Sequence, residues 1–190
     1  MAYNRFLLLL IGLISSYLHK AQGRPIDFWC NNQDRKSRTN RIEGLKKDMA
    51  DCVGSETLPS PIQIPCVWVH PAEWANKTLQ QRSVEVLGAL QGFQDRVQEA
   101  SKQQTTLQCQ TSLLKKLESH IRNDVDIVQR LHIQNGTYHS VIQYCFNQTS
   151  LKEVLEQYRR LLSKKLERLA TDLHDSMCKA EHRSTNTKGP

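Results

Sequence analysis

The sequence lacks a long apolar run and the short motifs of common hydrolases. Its longest apolar stretch, at residues 6–14, is too short to cross a bilayer, and no later stretch approaches the roughly 18 residues that a spanning helix needs. Gly-x-Ser-x-Gly, His-Glu-x-x-His and clustered Cys-x-x-Cys motifs are also missing. These absences argue against a membrane anchor after residue 14, and they favour a protein that is not an enzyme and carries no metal or other cofactor.

The N-terminus has the three parts of a secretory signal peptide. Arg5 precedes the apolar run, and the small residues Ala21 and Gly23 mark a cleavage site. We therefore predict a signal peptide at residues 1–23, a folded domain at 24–178 and a flexible C-terminal tail at 179–190. Export into an oxidising compartment would allow the six cysteines to form disulfides.

The charge pattern indicates a solvated surface rather than a nucleic-acid interface. The chain has 26 Lys and Arg against 19 Asp and Glu, for a net charge of +7. These charges are interspersed along helical patterns instead of being clustered with aromatic residues. We therefore expect no nucleic-acid partner.

Three Asn-x-Thr acceptor sequons fit an extracellular surface. They begin at Asn76, Asn135 and Asn147. Because a glycan must face solvent, these asparagines are predicted to lie outside the core.

Four segments show helical periodicity of apolar residues. They are segment A (about 31–51), segment B (about 73–102), segment C (about 107–131) and segment D (about 150–176). Segment A is weaker, since residues 34–41 are nearly all polar, whereas segment D opens with a capping box at Ser150 and Glu153. No alternating pattern of comparable length competes, so we predict an all-α fold.

The lengths of the connections restrict the topology. A helix of about 25 residues is roughly 37 Å long, so a link that returns to the same end needs at least about 11 extended residues. The B–C link (101–106) is too short for this and makes B and C antiparallel neighbours. The A–B link (52–72) and the C–D link (132–149) are both long enough, which allows an up-up-down-down four-helix bundle with two long crossover loops.

This topology has a consequence for disulfides, since bonded cysteines need α-carbons within about 7 Å. In an up-up-down-down bundle, Cys52 and Cys109 share one pole, and Cys30 and Cys178 share the other. In an up-down-up-down bundle, Cys52 and Cys109 would lie at opposite poles. Six cysteines permit many other connectivities, so the pairing depends on the topology.

One stretch of sequence resembles a known family. Residues 58–65 (LPSPIQIP), Glu73-Trp74 and residues 86–89 (VLGA), together with the spacing of Cys30, Cys52, Cys109 and Cys178, resemble the erythropoietin/thrombopoietin family. Cys109 favours the thrombopoietin branch, because the erythropoietin pattern closes its small disulfide elsewhere. The resemblance implies a long-chain four-helix cytokine, agreeing with the topology above.

Two features depart from the family pattern. Cys66 and Cys145 are additional cysteines, one in each long loop, and since those loops pass each other in this topology we predict a third bridge between them. The polar first half of segment A replaces several apolar family positions, which leaves open whether a receptor contact on that face is retained.

The resemblance also implies where receptors bind: segment D and the A–B loop on one side, and segments A and C on another. The basic motif of the family falls on Ser163, Lys165 and Glu167, so only Lys165 keeps its charge. Arg160, Lys164 and Arg168 form a neighbouring stripe at i, i+4 and i+8. Such a stripe could equally be a solubilising face, and we expect Lys164 and Lys165 to be largely exposed.

Three further positions match the family in or near the A–B loop. Arg82 falls on a basic position near the start of segment B, and Val69 falls on an apolar loop position that suits a contact. Trp74 also matches an apolar position, but it suits the core. The predicted receptor-binding residues are Lys165, Lys164, Arg168, Arg160, Arg82 and Val69.

The predicted function is a secreted, monomeric, glycosylated ligand that joins class I cytokine receptor chains, by resemblance the thrombopoietin receptor, and stimulates megakaryocyte or thrombocyte production. One alternative is an erythropoietin-like cytokine acting on erythroid precursors. Another is a secreted helical lipid carrier, although narrow apolar stripes and six cysteines suit that less well. The helical pair His174-Asp175 resembles that of secreted phospholipases, but their glycine-rich calcium loop is missing.

Overall fold

The computed structural model describes residues 25–103, 107–131 and 142–184. The predicted signal peptide at 1–23, the sequon at Asn135 and the final residues 185–190 lie outside these ranges. Within them, no helix is long and apolar enough to cross a membrane.

The described chain is mostly helical, which confirms the predicted class. A short helix, α1 (Pro25–Cys30), precedes segment A, and segment A is α2 (Asn32–Ala50). Segment B contains α3 (Pro71–Asn76) and α4 (Leu79–Lys102), and segment C is α5 (Gln108–Gln129). Segment D contains α6 (Leu151–Leu161), a π-helical turn (Leu162–Leu166) and α7 (Glu167–Ser184). Helix α7 therefore extends eight residues beyond the predicted end of segment D.

Side-chain caps explain where three of these helices begin. Asn31 accepts a hydrogen bond from the Gln33 N–H at 2.9 Å, and the Ser150 hydroxyl accepts one from the Glu153 N–H at 3.4 Å. Thr78 and Gln81 form a full capping box that starts α4. This cap divides segment B, so the prediction of one continuous helix from residue 73 was wrong.

The crossover loops pair as a two-stranded antiparallel sheet, which the sequence analysis did not predict. β1 (Thr57–Pro65) pairs with β2 (Tyr144–Ser150), with Ile62 opposite Gln148 and Ile64 opposite Phe146. The three prolines of β1 made it look like a loop in the sequence, because proline lacks the backbone N–H that pairs strands. Proline is nevertheless tolerated in an edge strand. Three apolar residues of β1 are buried against the bundle: Leu58, Ile62 and Ile64.

The core lies between the apolar faces of the four segments. Ile42 of segment A, Phe93 of segment B, Ile121 of segment C and Tyr158 of segment D are all fully buried. The rings of Phe93 and Tyr158 pack with centroids 5.4 Å apart. Each predicted apolar stripe thus faces the interior.

Three disulfides tie this architecture together. They join Cys30 to Cys178, Cys52 to Cys109 and Cys66 to Cys145, with α-carbons 5.6, 6.0 and 5.0 Å apart. The first links the start of segment A to the end of segment D, and the second links the end of segment A to the start of segment C. The third links the two crossover loops where the sheet ends, so all long connections are anchored.

Candidate functional site

A single exposed tryptophan stands at the centre of the candidate site. Trp68 follows β1 and is 51% exposed, whereas Val67 before it is fully buried and Val69 after it packs partly against the core. Sequence reasoning chose Val69 and missed Trp68. The alternation Val67-Trp68-Val69 was a usable signal, because neighbouring residues of an extended segment point to opposite sides.

The extended segment is anchored immediately before Trp68. Cys66 is bonded to Cys145, and its backbone N–H donates to the Gln143 carbonyl at 2.9 Å. Together with the buried Val67, these contacts fix the position from which the Trp68 side chain projects.

Segment D supplies a basic side chain beside this tryptophan. The guanidinium carbon of Arg160 lies 5.8 Å from the centre of the Trp68 ring, within range of a cation–π interaction. Lys164 is exposed one turn further on, which agrees with its prediction. We call the group formed by Trp68, Arg160 and the exposed Lys164 the Trp68 surface.

Glu156 orients the arginines of segment D. It lies 2.9 Å from Nε of Arg159 and 3.4 Å from Nε of Arg160, and it also accepts from Lys46 of segment A. The hydrogen bonds from Arg159 lower the pKa of Glu156 to about 2, against the opposing effect of burial. The carboxylate therefore stays charged at any physiological pH and holds Arg160 beside Trp68.

Lys165 does not lie on this surface, and the prediction that it would be exposed was wrong. Its side chain is only 6% exposed, and its ammonium group lies 2.8 Å from Glu85 of α4. Glu85 also pairs with Lys77 at 2.7 Å. Burial acts to raise the pKa of the Glu85 carboxyl, but hydrogen bonds from Lys165 and Lys77 outweigh it and hold that pKa below its ordinary value.

The burial of Lys165 could have been read from spacing. It lies four residues after Leu161 and four before Leu169, so it falls on the apolar stripe of segment D. A lysine at such a position buries its aliphatic stem and needs an internal acid for its head group. The acid is Glu85 of segment B, and the spacing within segment D could not identify it.

Arg82 is also engaged inside the protein. Its guanidinium donates to the Trp74 carbonyl at 2.9 Å, to Asp172 at 3.0 Å and to the Ala75 carbonyl at 3.2 Å. The indole N–H of the buried Trp74 donates to the same Asp172 oxygen at 2.7 Å. Arg82 thus joins α3 and α4 to segment D.

Arg168, by contrast, is largely exposed and lies 3.8 Å from Asp172.

A cleft of about 620 Å³ separates the Trp68 surface from segment B. Trp68 forms one wall and Trp74 another, and the ion-paired Glu85 and Lys165 also line it. Trp68 therefore borders open space, and Arg160 lies near its ring from segment D.

The polar half of segment A has internal partners. Arg35 bonds to Glu167 of segment D through Nε at 2.9 Å, and Arg38 bonds to the buried Asp124 of segment C. Asp124 also accepts from the Tyr158 hydroxyl. Burial raises the pKa of Asp124 despite the pull of Arg38. These residues replace apolar packing with ion pairs, which explains the weak periodicity of segment A.

His120 lies one helical turn before Asp124 in segment C. Partial burial and the charge of Arg41 lower its pKa, and Arg38 and Lys116 act in the same direction. These effects outweigh the opposing charge of Asp124, so the folded protein favours the neutral imidazole more than the unfolded chain does.

Two of the three sequons lie in described residues. Asn76 ends α3 and Asn147 belongs to β2, and both side chains are exposed. Among the described residues, no group of His, Cys, Asp and Glu could hold a metal ion.

A mostly helical bundle with three disulfides is the architecture of a helical cytokine. The sequence model of the erythropoietin/thrombopoietin family matches residues 41–181, and the chain belongs to this family. Its members are secreted haematopoietic cytokines that bind class I cytokine receptors, so the lipid-carrier alternative is not favoured. No curated protein matches the chain.

Proposed function

We propose that this protein is a thrombopoietin-like cytokine, secreted after loss of residues 1–23, that brings class I receptor chains together and stimulates megakaryocyte or thrombocyte production. The observation that carries the thrombopoietin assignment is the Cys52–Cys109 bond, since Cys109 is the cysteine that separates the two branches of the family. An erythropoietin-like activity on erythroid precursors is the second candidate.

We propose an up-up-down-down arrangement for the bundle, and pairs between segments support it. Segment A meets segment D in opposite order, with Arg35 near Glu167 and Lys46 near Glu156. Segment B likewise meets segment C through Gln98 and Glu118. The other pairs also run in opposite order: Lys116–Asp48 and Arg38–Asp124 between C and A, and Lys165–Glu85 and Arg82–Asp172 between D and B.

The proposed mechanism is geometric. One receptor chain would bind the Trp68 surface together with Arg168 on segment D, and a second would bind segments A and C. Because disulfides and ion pairs fix these segments relative to one another, the bundle would set the separation of two membrane-tethered receptors. Electrostatic complementarity at the basic side chains would contribute more to association rate and orientation than to raw affinity.

Growth assays test the receptor assignment. Factor-dependent cells bearing only the thrombopoietin receptor should proliferate with nanomolar protein, and matched cells bearing only the erythropoietin receptor should not. The reverse result would move the protein to the erythropoietin branch. No growth of either line, with binding to neither receptor, would reject the proposed function.

We also propose that Asn76 and Asn147 carry glycans. Both lie outside the Trp68 surface, so occupancy leaves the proposed contact accessible. Intact-mass analysis of protein secreted from animal cells, before and after removal of N-glycans, should show a loss that Asn76→Gln and Asn147→Gln each reduce. An unchanged mass after treatment would reject this.

A further inference from the structure

Trp68 differs from the other tryptophans of the chain because its side chain is half exposed. The chain has three tryptophans, and the other two, Trp29 and Trp74, are buried. Tryptophan and arginine are the residues most enriched among those that dominate interface energies. The contact between Trp68 and Arg160 therefore places two such residues together on the surface.

The backbone immediately before Trp68 is restricted. Val67 is fully buried, and Cys66 is held both by its disulfide and by its hydrogen bond to Gln143. A side chain that is already held in place loses less conformational entropy on binding, which favours affinity. The bridge between Cys66 and Cys145 thus pre-organises the residue two positions later.

The surroundings of Trp68 indicate the chemistry of its partner. Arg160 and Lys164 are cationic, and Glu156, the acid beside Arg160, is already shared with Arg159 and Lys46. Trp68 is half exposed and borders the cleft, where a partner could enclose the indole. A complementary surface would offer an apolar pocket for the indole with carboxylates at its rim.

On the basis of the proposed function, we propose that Trp68 is the anchor residue of the receptor contact, that it inserts into an acidic-rimmed apolar pocket of the receptor, and that the Cys66–Cys145 bridge acts by holding Trp68 in place.

Surface plasmon resonance on immobilised receptor ectodomain tests the anchor. Trp68→Ala should weaken binding at least 30-fold, mostly through faster dissociation, while Trp68→Phe should recover part of the loss. The matched control is Phe146→Ala, which removes an exposed aromatic residue from β2 and should change affinity less than threefold. Circular dichroism and the thermal midpoint should be unchanged for Trp68→Ala.

A second set of variants tests the bridge. Cys66→Ser with Cys145→Ser should weaken binding at least tenfold. If the bridge acts through Trp68, adding Trp68→Ala to this background should cost much less than it costs in the wild type. Fully multiplicative losses would mean that the bridge stabilises the fold without positioning Trp68, and would overturn that part of the proposal.

The outcomes separate this proposal from the proposed function. Wild-type binding with an unaffected Trp68→Ala variant would overturn the anchor and leave the cytokine function standing. Wild-type binding to neither receptor would overturn both. Sedimentation that showed a wild-type dimer dissociated by Trp68→Ala would assign this surface to a second copy of the chain and also overturn the proposal.

Discussion

The ammonium group of Lys165 and the carboxylate of Glu85 form a 2.8 Å ion pair that joins segments D and B where almost no solvent reaches the lysine. Breaking such a pair from one side leaves a buried charge without its partner, which costs more than losing an exposed pair. The pair therefore belongs to the fold, although its lysine falls on the basic family motif.

Charge reversal at Lys165 is expected to damage stability. Lys165→Glu should lower the free energy of unfolding by about 3–5 kcal/mol, because it places two carboxylates together in a mostly buried site. The neighbouring Lys164→Glu is the control and should change it by less than about 0.5 kcal/mol, since Lys164 is exposed. Urea unfolding measures both. Equal effects of the two variants would contradict the burial of Lys165.

The bridge between Cys30 and Cys178 should be the most stabilising of the three disulfides, because its cysteines are 148 residues apart, against 57 for Cys52 and Cys109. In the chain-entropy model the two bonds contribute about 5 and about 4 kcal/mol. Paired alanine variants followed by denaturant unfolding would compare them.

Non-reducing peptide mapping should recover the same three pairs, and a peptide linking Cys52 to Cys66 would contradict them.

Glu156 should supply stability that is lost in acid. Its pKa is about 2 in the folded protein against 4.5 for the free side chain, so the unfolded state binds more protons between these values and stability falls as the pH drops through them. Glu156→Gln should lower the free energy of unfolding by about 1–2 kcal/mol at pH 7, which allows for the screening of these partly exposed charges by solvent. The difference from wild type should shrink towards pH 2. A constant difference across that range would contradict this role.

His120 should make the fold sensitive to milder acid. Its folded pKa lies below the 6.5 of a free histidine, so protonation favours the unfolded state as the pH falls through this region. Wild type should therefore lose stability as the pH falls below the 6.5 of a free histidine, and His120→Gln should lose less. Glu156 titrates at lower pH and does not affect this window. Identical urea midpoint shifts for the two proteins would exclude His120 as the cause.

The helices could be predicted from the sequence because an amphipathic face is a local pattern. In segment D, buried residues such as Val154, Leu161 and Leu169 recur at helical spacing, and each is recognisable without knowing its partner. The sheet could not be predicted in this way. β1 contains three prolines, and its register with β2 depends on residues about 80 positions away.

The candidate site could be predicted only in part. The exposure of Lys164 follows from its place opposite the apolar stripe, and two of the disulfides join the same cysteines that the proposed topology brings together at each pole. The contact between Trp68 and Arg160 could not be found, because it depends on where a crossover loop meets segment D. Likewise, nothing near Arg82 in the sequence shows that Asp172 will bind it.

The π-helical turn at Leu162–Leu166 changes how segment D is to be aligned with its relatives. A π turn holds about one residue more than an α turn, so every later side chain faces the direction that belongs to the preceding position of an uninterrupted α-helix. Compared with a relative whose helix has no such turn, Arg168 and not Glu167 would then fall on the third basic position of the family motif, and we propose that it does. A charge that counting along the sequence marks as lost would then be retained in space.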